Sequence, residues 1–270
     1  VATQLAQGDY SPRAQVMGGD EISELAESFN RMADAVEKNI QELEEAARRQ
    51  EDFTASFVHE LKTPLTSIIG YADMLRSGNL GEDMRFKAAS YIFSEGKRLE
   101  NLSLALMSLL VVGHSTADAR PVNMRRLCQE AGRICQPAMR AKGLTLSVRA
   151  EEGLLRGDAA LLQTLLQNLL DNARKAADSG QVVLSGRSTE EGYRVTVADQ
   201  GRGIPEGELN KITEPFYMVD KSRSRAEGGA GLGLALCKEI AELHRGQLCF
   251  ESREGKGTIV TAGLGGVADA

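Results

Sequence analysis

The stretch FVHELKTPLT, residues 57–66, decides how the rest of the chain is interpreted. Its residue types suit a helix that sets the imidazole of His59 beside the carboxylate of Glu60. Pro64 offers no N–H to the carbonyl one turn before it, and its ring presses on that carbonyl, so we expect the helix to bend beside His59. A neutral imidazole is a nucleophile near pH 7, and an adjacent carboxylate can accept its proton. A solvated surface pair explains the same two residues, so the chemistry has to be inferred from the rest of the chain.

Composition excludes several classes of protein. A net charge of −6 over 270 residues argues against a nucleic-acid-binding surface, and 42% apolar with 4% aromatic residues suits helices rich in Leu and Ala beside a modest α/β core. No histidine stands four residues after His59, which excludes the H-E-x-x-H zinc proteases. The longest apolar run, 104–112, is too short to cross a bilayer, and the first residue is not Met, so we expect a part of a longer protein.

The cysteines form no C-x-x-C pair, which argues against a metal site or a redox motif. We therefore interpret all four as buried free thiols of a protein in a reducing cytosol. They are Cys128, Cys135, Cys237 and Cys249.

The N-terminal part of the chain has the pattern of a coiled coil. Residues 1–20 are interpreted as a short helical tail and a connector between two helices. From Ile22 to Phe57 apolar residues recur at intervals of three and four, with polar residues at some seam positions. This pattern predicts a parallel two-stranded coil that continues into the His59 segment. A passive dimerisation stalk would have the same spacing.

Two long amphipathic helices follow one another around His59. The apolar pattern continues past Pro64 to Leu75, stops at residues 77–81, and resumes from Phe86 to Leu110. Two such helices joined by a short Gly/Asn loop form an αα-hairpin. One hairpin buries only one face of each helix, so we expect two copies to pair as a four-helix bundle in an obligate homodimer.

The second half of the chain alternates between strand and helix patterns after a linker at 113–120. Helices are predicted at 124–141, 158–177 and 229–243, and strands at 144–149, 182–187, 193–198, 248–252 and 258–262. Helices on one face of a mixed sheet make an α+β layer domain.

Three sets of residues in this half suggest nucleotide chemistry. Asn168, Asn172 and Lys175 are spaced i, i+4 and i+7, so they share a helix face that could hold hydrated Mg²⁺ and phosphate oxygens. An ordinary polar helix face has the same spacing. Asp199 follows a strand directly and could accept a hydrogen bond from an exocyclic amine.

The second set, which begins at Asp199, and the third set both contain glycines. Gly201 and Gly203 after Asp199 would let the backbone approach a planar ring, although such turns occur in many folds. Gly229, Gly231 and Gly233 lead into a helix, whose N-terminal N–H groups could cradle a phosphate. The basic run before them, 221–225, should be mobile. The glycine-rich segment itself is neither a Walker A loop nor a G-x-G-x-x-G after a strand. The prediction of phosphate binding therefore depends on all three sets of residues taken together.

The order of these segments resembles the sensor histidine kinases of two-component signalling. HELKTPL, N-x-x-x-N-A-x-K, D-x-G-x-G-I, E-P-F and G-x-G-L-G-L correspond to the family's H, N, G1, F and G2 boxes, and the first residues look like the second half of a HAMP relay. The resemblance covers essentially the whole chain. It implies the C-terminal part of a HAMP domain at 1–36, a coiled-coil connector at 37–50, a dimerisation and phosphotransfer hairpin at 51–113, a linker at 114–120, and an ATP-binding α/β-sandwich domain at 121–266.

The resemblance also implies roles for single residues. His59 would attack the γ-phosphate of ATP, Glu60 would act as general base, and Thr63 would position water for dephosphorylation of the partner. Asn172 would coordinate Mg²⁺, with Asn168 and Lys175 assisting at the phosphates. Asp199 would accept a hydrogen bond from the adenine amine, and Gly201 and Gly203 would shape that pocket. The glycine-rich segment would close around the phosphates under a lid at 217–228; its glycines are Gly229, Gly231 and Gly233.

The partners and location also follow from the resemblance. The linker would let the ATP-binding domain reach His59, and the phosphoryl group would then pass to an Asp in the receiver domain of a response regulator docked near 65–75. An upstream transmembrane and sensor segment would place this chain on the cytoplasmic side of the inner membrane.

Three positions depart from the family pattern, and two other functions remain open. Val58, Ala176 and Ala230 stand where Ser, an aromatic residue and Thr are frequent, so we expect altered nucleotide affinity or lid behaviour. An ATP-driven conformational machine would explain the nucleotide-binding segments but leave His59 and the hairpin without a purpose. A binding-only relay would keep the dimer and lack transfer.

Overall fold

The computed structural model describes residues 10–16, 18, 21–78, 80–114, 120–220 and 229–265. The chain divides into two compact units, 1–59 and 60–270. The predicted helical tail, most of the linker at 114–120 and the lid segment 221–228 lie outside the described residues.

The first unit contains the beginning of helix α1, which extends from Glu21 to Arg76 and includes Pro64. Residues 10–16 have no regular structure and are bound to α1 by side chains. The amide of Asn30 donates to the carbonyl of Ala14 at 3.0 Å and accepts from its N–H at 2.8 Å. Arg13 forms an ion pair with Glu37 at 2.6 Å. The predicted seam is still open in the single chain, since Ile22, Leu25, Met32 and Leu43 are exposed.

The second unit begins with the hairpin, whose loop lies where the sequence predicted it. Helix α1 ends at Arg76, and helix α2 extends from Glu82 to His114. The rings of Tyr71 and Tyr91 stack across the hairpin with centroids 4.7 Å apart. Large apolar side chains remain 51–76% exposed on its surface, which is the property expected of a hairpin that pairs with a second copy. They include Leu65, Ile69, Phe86 and Phe93.

The α/β part of the second unit is built on a five-stranded sheet. Its elements are β1 Arg120–Asn123, α3 Met124–Ala141, β2 Leu144–Ala150, β3 Leu154–Gly157, α4 Ala159–Ala176, β4 Gly180–Thr189, β5 Gly192–Ala198, a 3₁₀ turn Glu206–Glu208, α5 Gly233–Leu243, β6 Gln247–Arg253 and β7 Gly257–Leu264. The strands of the sheet are ordered β2-β4-β5-β7-β6, with β2 parallel to β4 and the other neighbours antiparallel. Helices α3, α4 and α5 pack on one face of the sheet, as predicted.

The end of helix α2 belongs to the hydrophobic core of this α/β part. Val112 is buried within the core, and Leu109 packs against it. Helix α2 also contacts helix α5. The last turns of α2 therefore connect the hairpin to the layer that carries the glycine-rich loop.

The structure corrects two sequence predictions and adds a sheet that the sequence analysis missed. The last helix begins at Gly233 rather than Gly229, because Gly231 has a left-handed φ of +69° that a helix does not admit. A two-stranded antiparallel sheet, β1 with β3, was not predicted. Only Cys128 and Cys237 are buried thiols, whose pKa burial raises, whereas Cys135 is half-buried and Cys249 is exposed on β6.

Candidate active site

Helix α4 sets the polar stripe of the site opposite a buried leucine stripe. Asp158 caps the helix, since its carboxylate accepts from the N–H groups of Ala160 and Leu161 at 2.8 and 3.1 Å. The buried stripe comprises Leu162, Leu165, Leu166, Leu169, Leu170 and Ala173. Burial of the stripe fixes the rotation of the helix, and it directs Asn168, Asn172 and Lys175 towards a cavity.

The two asparagines of the stripe differ in how their amides are satisfied. The amide of Asn168 donates to the carbonyl of Thr164 at 2.9 Å. The amide nitrogen of Asn172 is buried and has no hydrogen-bond partner among the described residues. A buried polar atom without a partner is costly unless a ligand satisfies it, so Asn172 is suited to bind a group that enters the cavity.

Lys175 lies in a network of charges with Asp171 and Arg174. Its Nζ is 2.7 Å from one carboxylate oxygen of Asp171, and a guanidinium nitrogen of Arg174 is 2.6 Å from the other. Burial alone would raise the pKa of Asp171, but the two cations outweigh burial and lower it. In this structure Lys175 is thus paired with a carboxylate at the rim of the cavity.

Asp199 lies at the end of β5, where its carboxylate reaches into the cavity. One carboxylate oxygen accepts from the N–H of Gly201 at 2.8 Å. Burial raises the pKa of Asp199. Hydrogen bonds from the backbone of Gly201 and Thr258 lower it, but by less than burial raises it. A partly desolvated carboxylate of this kind is a strong acceptor for a donor on a ligand.

Glycine is required at three positions around the cavity. Gly203 and Gly231 both have φ near +69°, where a side chain is strained. A Cβ on Gly203 would collide with the carbonyl oxygen of Arg253, and one on Gly201 would lie 2.5 Å from that of Ala176. The Gly231 carbonyl accepts from the N–H of Phe216 at 2.8 Å, which joins the E-P-F segment to the glycine-rich loop.

The cavity enclosed by these elements has a volume of about 590 Å³. This volume falls in the range of small-molecule sites, roughly 300–1,000 Å³. Eight of the nine residues predicted to bind the cofactor line it, and the exception, Gly201, donates its N–H to the carboxylate of Asp199. The eight are Asn168, Asn172, Lys175, Asp199, Gly203, Gly229, Gly231 and Gly233.

Sequence reasoning missed one wall of the cavity. Asn101 and Ala105, one turn apart on α2, line it as well. No local signal marked them, because Asn101 lies in a helix assigned to the hairpin, far in sequence from the nucleotide-binding segments. Ala176 and Ala230, which depart from the family pattern, also line the cavity, so their predicted effect on nucleotide affinity stays a prediction.

The three residues predicted to act at the phosphoacceptor end have different environments. The side chain of His59 is exposed. Glu60 is buried, with its Oε2 2.8 Å from a guanidinium nitrogen of Arg98 on α2. Thr63 is half-buried, and its carbonyl accepts from the hydroxyl of Ser67 at 3.3 Å.

Neither a bilayer-spanning helix nor a ready-made metal cluster occurs in the part of the chain that the structure describes. No helix there is long and apolar enough to span a membrane. Likewise, no three His, Cys, Asp or Glu side chains gather there as metal ligands. The amide oxygen of Asn172 is a hard donor of the kind that Mg²⁺ prefers.

Comparison with known proteins assigns this arrangement to a family. Residues 1–38 match the HAMP domain, residues 49–108 the His Kinase A (phospho-acceptor) domain, and residues 157–265 the histidine kinase-, DNA gyrase B- and HSP90-like ATPase. The chain belongs to the sensor histidine kinases. The signal transduction histidine-protein kinase BaeS of Escherichia coli is 31% identical over 265 residues, covering 97% of this chain and 55% of BaeS. The chain spans about half the length of the curated relatives it matches.

Solved structures of histidine kinases share the fold. The histidine kinase ThkA in complex with the response regulator TrrA has a TM-score of 0.66 and 23% identity, over 83% of this chain and 65% of that one. Full-length ShkA in complex with AMPPNP has a TM-score of 0.59 and 23% identity, over 82% of this chain and 47% of ShkA. At this identity the likeness extends to the fold.

Proposed function

We propose that this sensor histidine kinase transfers the γ-phosphoryl group of ATP to His59 and then to an aspartate of a response regulator. The observation that carries the proposal is the cavity around Asn172. It combines a buried amide without a partner, a partly desolvated carboxylate at Asp199 and a glycine-rich loop at a helix N-terminus. The amide nitrogen of Asn172 and the glycine-rich loop can donate to phosphate oxygens, and the carboxylate of Asp199 can accept from an exocyclic amine.

The transfer is a substitution at phosphorus. A ring nitrogen of His59 attacks the γ-phosphorus of ATP, the bond from that phosphorus to the β,γ-bridging oxygen breaks, and ADP leaves. Glu60 takes the proton that the imidazole loses, which leaves a neutral phosphoramidate nitrogen. Catalysis rests mainly on positioning and on neutralisation of the phosphate charge, as in phosphoryl transfer generally.

The chain's own residues divide this work. Asn172 would hold Mg²⁺, which supplies charge neutralisation at the phosphates when it is bound. Asn168 and Lys175 bind phosphate oxygens, and for this Lys175 has to exchange Asp171 for the nucleotide. Asp199 accepts from the adenine amine, while Gly201 and Gly203 shape the turn around it. Gly229, Gly231 and Gly233 present backbone N–H groups to the phosphates.

The second step requires two further partners. An aspartate of a receiver domain attacks the phosphorus of the phosphorylated His59, so the N–P bond breaks and an acyl phosphate forms. The complex of ThkA with TrrA supports a response regulator as this partner. The exposed apolar side chains of the hairpin support a homodimer that pairs as a four-helix bundle after a parallel coiled coil. We place the chain on the cytoplasmic side of a membrane sensor, in keeping with the HAMP match.

Incubation with γ-labelled ATP and Mg²⁺ tests the first step. Label on the protein that is labile in acid, stable in alkali and absent from His59→Gln supports the kinase. Multiple turnover without labelled protein would instead point to an ATP-driven conformational machine, and absence of nucleotide binding to a binding-only relay. Lys62→Gln is a matched control, since Lys62 is exposed on the same helix and has no proposed role in this reaction.

Thr63 and the dimer have separate tests. Thr63→Ala should lower the dephosphorylation of the phosphorylated regulator while autophosphorylation is kept; equal loss of both would assign Thr63 to helix structure.

Light scattering should give the mass of a dimer at micromolar concentration, and a monomer there would remove the four-helix bundle.

A further inference from the structure

Among the residues that the structure describes, no helix covers one face of the sheet of the α/β part. Successive residues of a strand point to opposite faces. On β5, Val197 lines the nucleotide cavity, whereas its neighbour Thr196 points to the other side. This uncovered face carries hydroxyl groups in a row across β4, β5 and β7, with Ser185 beside Thr196 and Thr196 beside Thr261.

Three arginines gather at one corner of this face. Arg187 on β4 is paired directly with Arg194 on β5. Arg149 on β2 is paired with Ser185, which lies two residues before Arg187 on the same face of β4. Directly paired residues have Cβ atoms about 5 Å apart and diagonal neighbours about 7–8 Å, so long guanidinium side chains at these positions can reach one bound group.

The arginines of this corner lack counter-ions. Within the described residues, the side chains of Arg149, Arg187 and Arg194 make no hydrogen bond and no ion pair. Some arginines elsewhere in the described part of the chain are paired with carboxylates, among them Arg13, Arg48, Arg76, Arg98, Arg125, Arg133 and Arg174. Like charges directly opposite each other on neighbouring strands are destabilising, so the pair of Arg187 with Arg194 opposes folding unless an anion lies between them.

A concave space accompanies the arginines. A cavity of about 610 Å³ is lined by all three together with Ser185, Thr196 and Glu151. Three guanidinium groups against one carboxylate leave the lining positive in a chain whose net charge is −6. Guanidinium forks bind phosphate and carboxylate oxygens in pairs, and the hydroxyls can donate to the same oxygens.

We propose that Arg149, Arg187 and Arg194 form a binding site for a multivalent oxyanion, on the opposite face of the sheet from the nucleotide cavity. The ligand is a group with at least two negative charges, of the phosphate or polycarboxylate class. The site shares no lining residue with the nucleotide cavity, so it can be tested separately from the phosphoryl transfer proposed above.

Inorganic pyrophosphate is the probe, titrated into the whole chain without Mg²⁺ and followed by backbone-amide NMR shifts and by the melting temperature. We expect saturable shifts at Ser185, Arg187 and Thr196. Loss of two guanidinium partners in the double variant Arg187→Gln/Arg194→Gln should weaken this binding roughly tenfold or more. Arg140→Gln is the matched control, because Arg140 is an exposed arginine on α3 outside the cavity.

The two readouts separate the site from general salt effects. Without the anion the double variant should melt no lower than the wild-type chain, because a like-charge pair has been removed; with the anion only the wild-type chain should gain stability. Citrate tested in parallel distinguishes the ligand classes, since the anion that saturates at the lower concentration identifies the chemistry. Shifts that follow ionic strength without saturating, or that persist in the double variant, would overturn the proposal.

Discussion

Arg98 on α2 holds Glu60 on α1, with a guanidinium nitrogen 2.8 Å from the carboxylate oxygen Oε2. Both side chains are less than 10% exposed, and the two residues are 38 positions apart in the chain. A second carboxylate, that of Glu95, lies 3.6 Å from the same guanidinium group. The proposed general base is therefore held by a cation of the facing helix, and it has to be available to His59 when the proton is transferred.

Removal of one member of this pair should destabilise the hairpin strongly. Arg98→Met removes the guanidinium group from the buried carboxylate of Glu60, a change that costs about 3–5 kcal/mol in comparable buried pairs. The double variant Arg98→Met/Glu60→Met should recover most of the loss, because neither charge is then buried. Urea unfolding of the four members of this cycle measures the coupling; an Arg98→Met chain as stable as wild type would contradict a buried pair.

The raised pKa of Asp199 predicts a pH dependence of nucleotide binding. Asp199 accepts best when ionised, and burial raises its pKa above the ordinary value, so affinity should begin to fall at a higher pH than an exposed aspartate would allow. Titrations with a fluorescent ATP analogue at decreasing pH measure this. Asp199→Asn should bind roughly tenfold or more weakly and without this acid limb. If the affinity of Asp199→Asn falls by the same amount at acid pH, the titrating group is not Asp199.

The backbone at Gly203 should not tolerate a side chain. Gly203→Ala places a Cβ at φ +69° and against the carbonyl of Arg253, so we expect a loss of roughly 1–3 kcal/mol in stability together with weaker nucleotide binding. Gly207→Ala is the matched control, since a Cβ there has no neighbour within 4 Å. Thermal unfolding compares the two, and equal effects would mean that the turn is not specific for glycine.

Asn101 should contribute to nucleotide affinity although it belongs to the hairpin helix. Its side chain lines the cavity beside Ala105, and loss of one hydrogen bond of about 0.5–1.5 kcal/mol corresponds to a several-fold weaker affinity for Asn101→Ala. Ser103→Ala, an exposed position of the same helix outside the cavity lining, is the control. Unchanged affinity in Asn101→Ala would mean that this wall does not touch the ligand.

His244 predicts a loss of stability in mild acid. Its Nε2 accepts from the N–H of Asp158 at 3.1 Å, so its Nδ1 carries the proton and donates to the carbonyl of Ile240 at 2.7 Å. Burial lowers the pKa of His244, and the unfolded chain therefore binds a proton first as the pH falls below about 6.5. The free energy of unfolding should then decrease until the lower folded pKa is passed. His244→Gln should lack this component in urea titrations across the same range.

The sequence predicted helices better than short strands. Helix α3 has the predicted bounds Met124–Ala141, because Asn123 caps it and its apolar face is regular. Strand β1 has only four residues, and its partner β3 follows roughly 30 positions later. A strand this short shows no alternating pattern of apolar residues from which it could be predicted. The cavity residues share short motifs and could be predicted. The ion pair of Arg98 with Glu60 could not be predicted, because only the fold of the hairpin brings the two residues together.

The burial of Val112 at the end of α2 has a consequence for dissecting the protein. An ATP-binding fragment cut at Pro121 would lack Val112 and Leu109 and expose the core positions that they cover. Fragments that begin upstream of Leu109 should be less prone to aggregate and more resistant to proteases. In hydrogen exchange, the last turns of α2 should open together with α4 and α5, so the border between cooperative folding units falls inside a continuous helix.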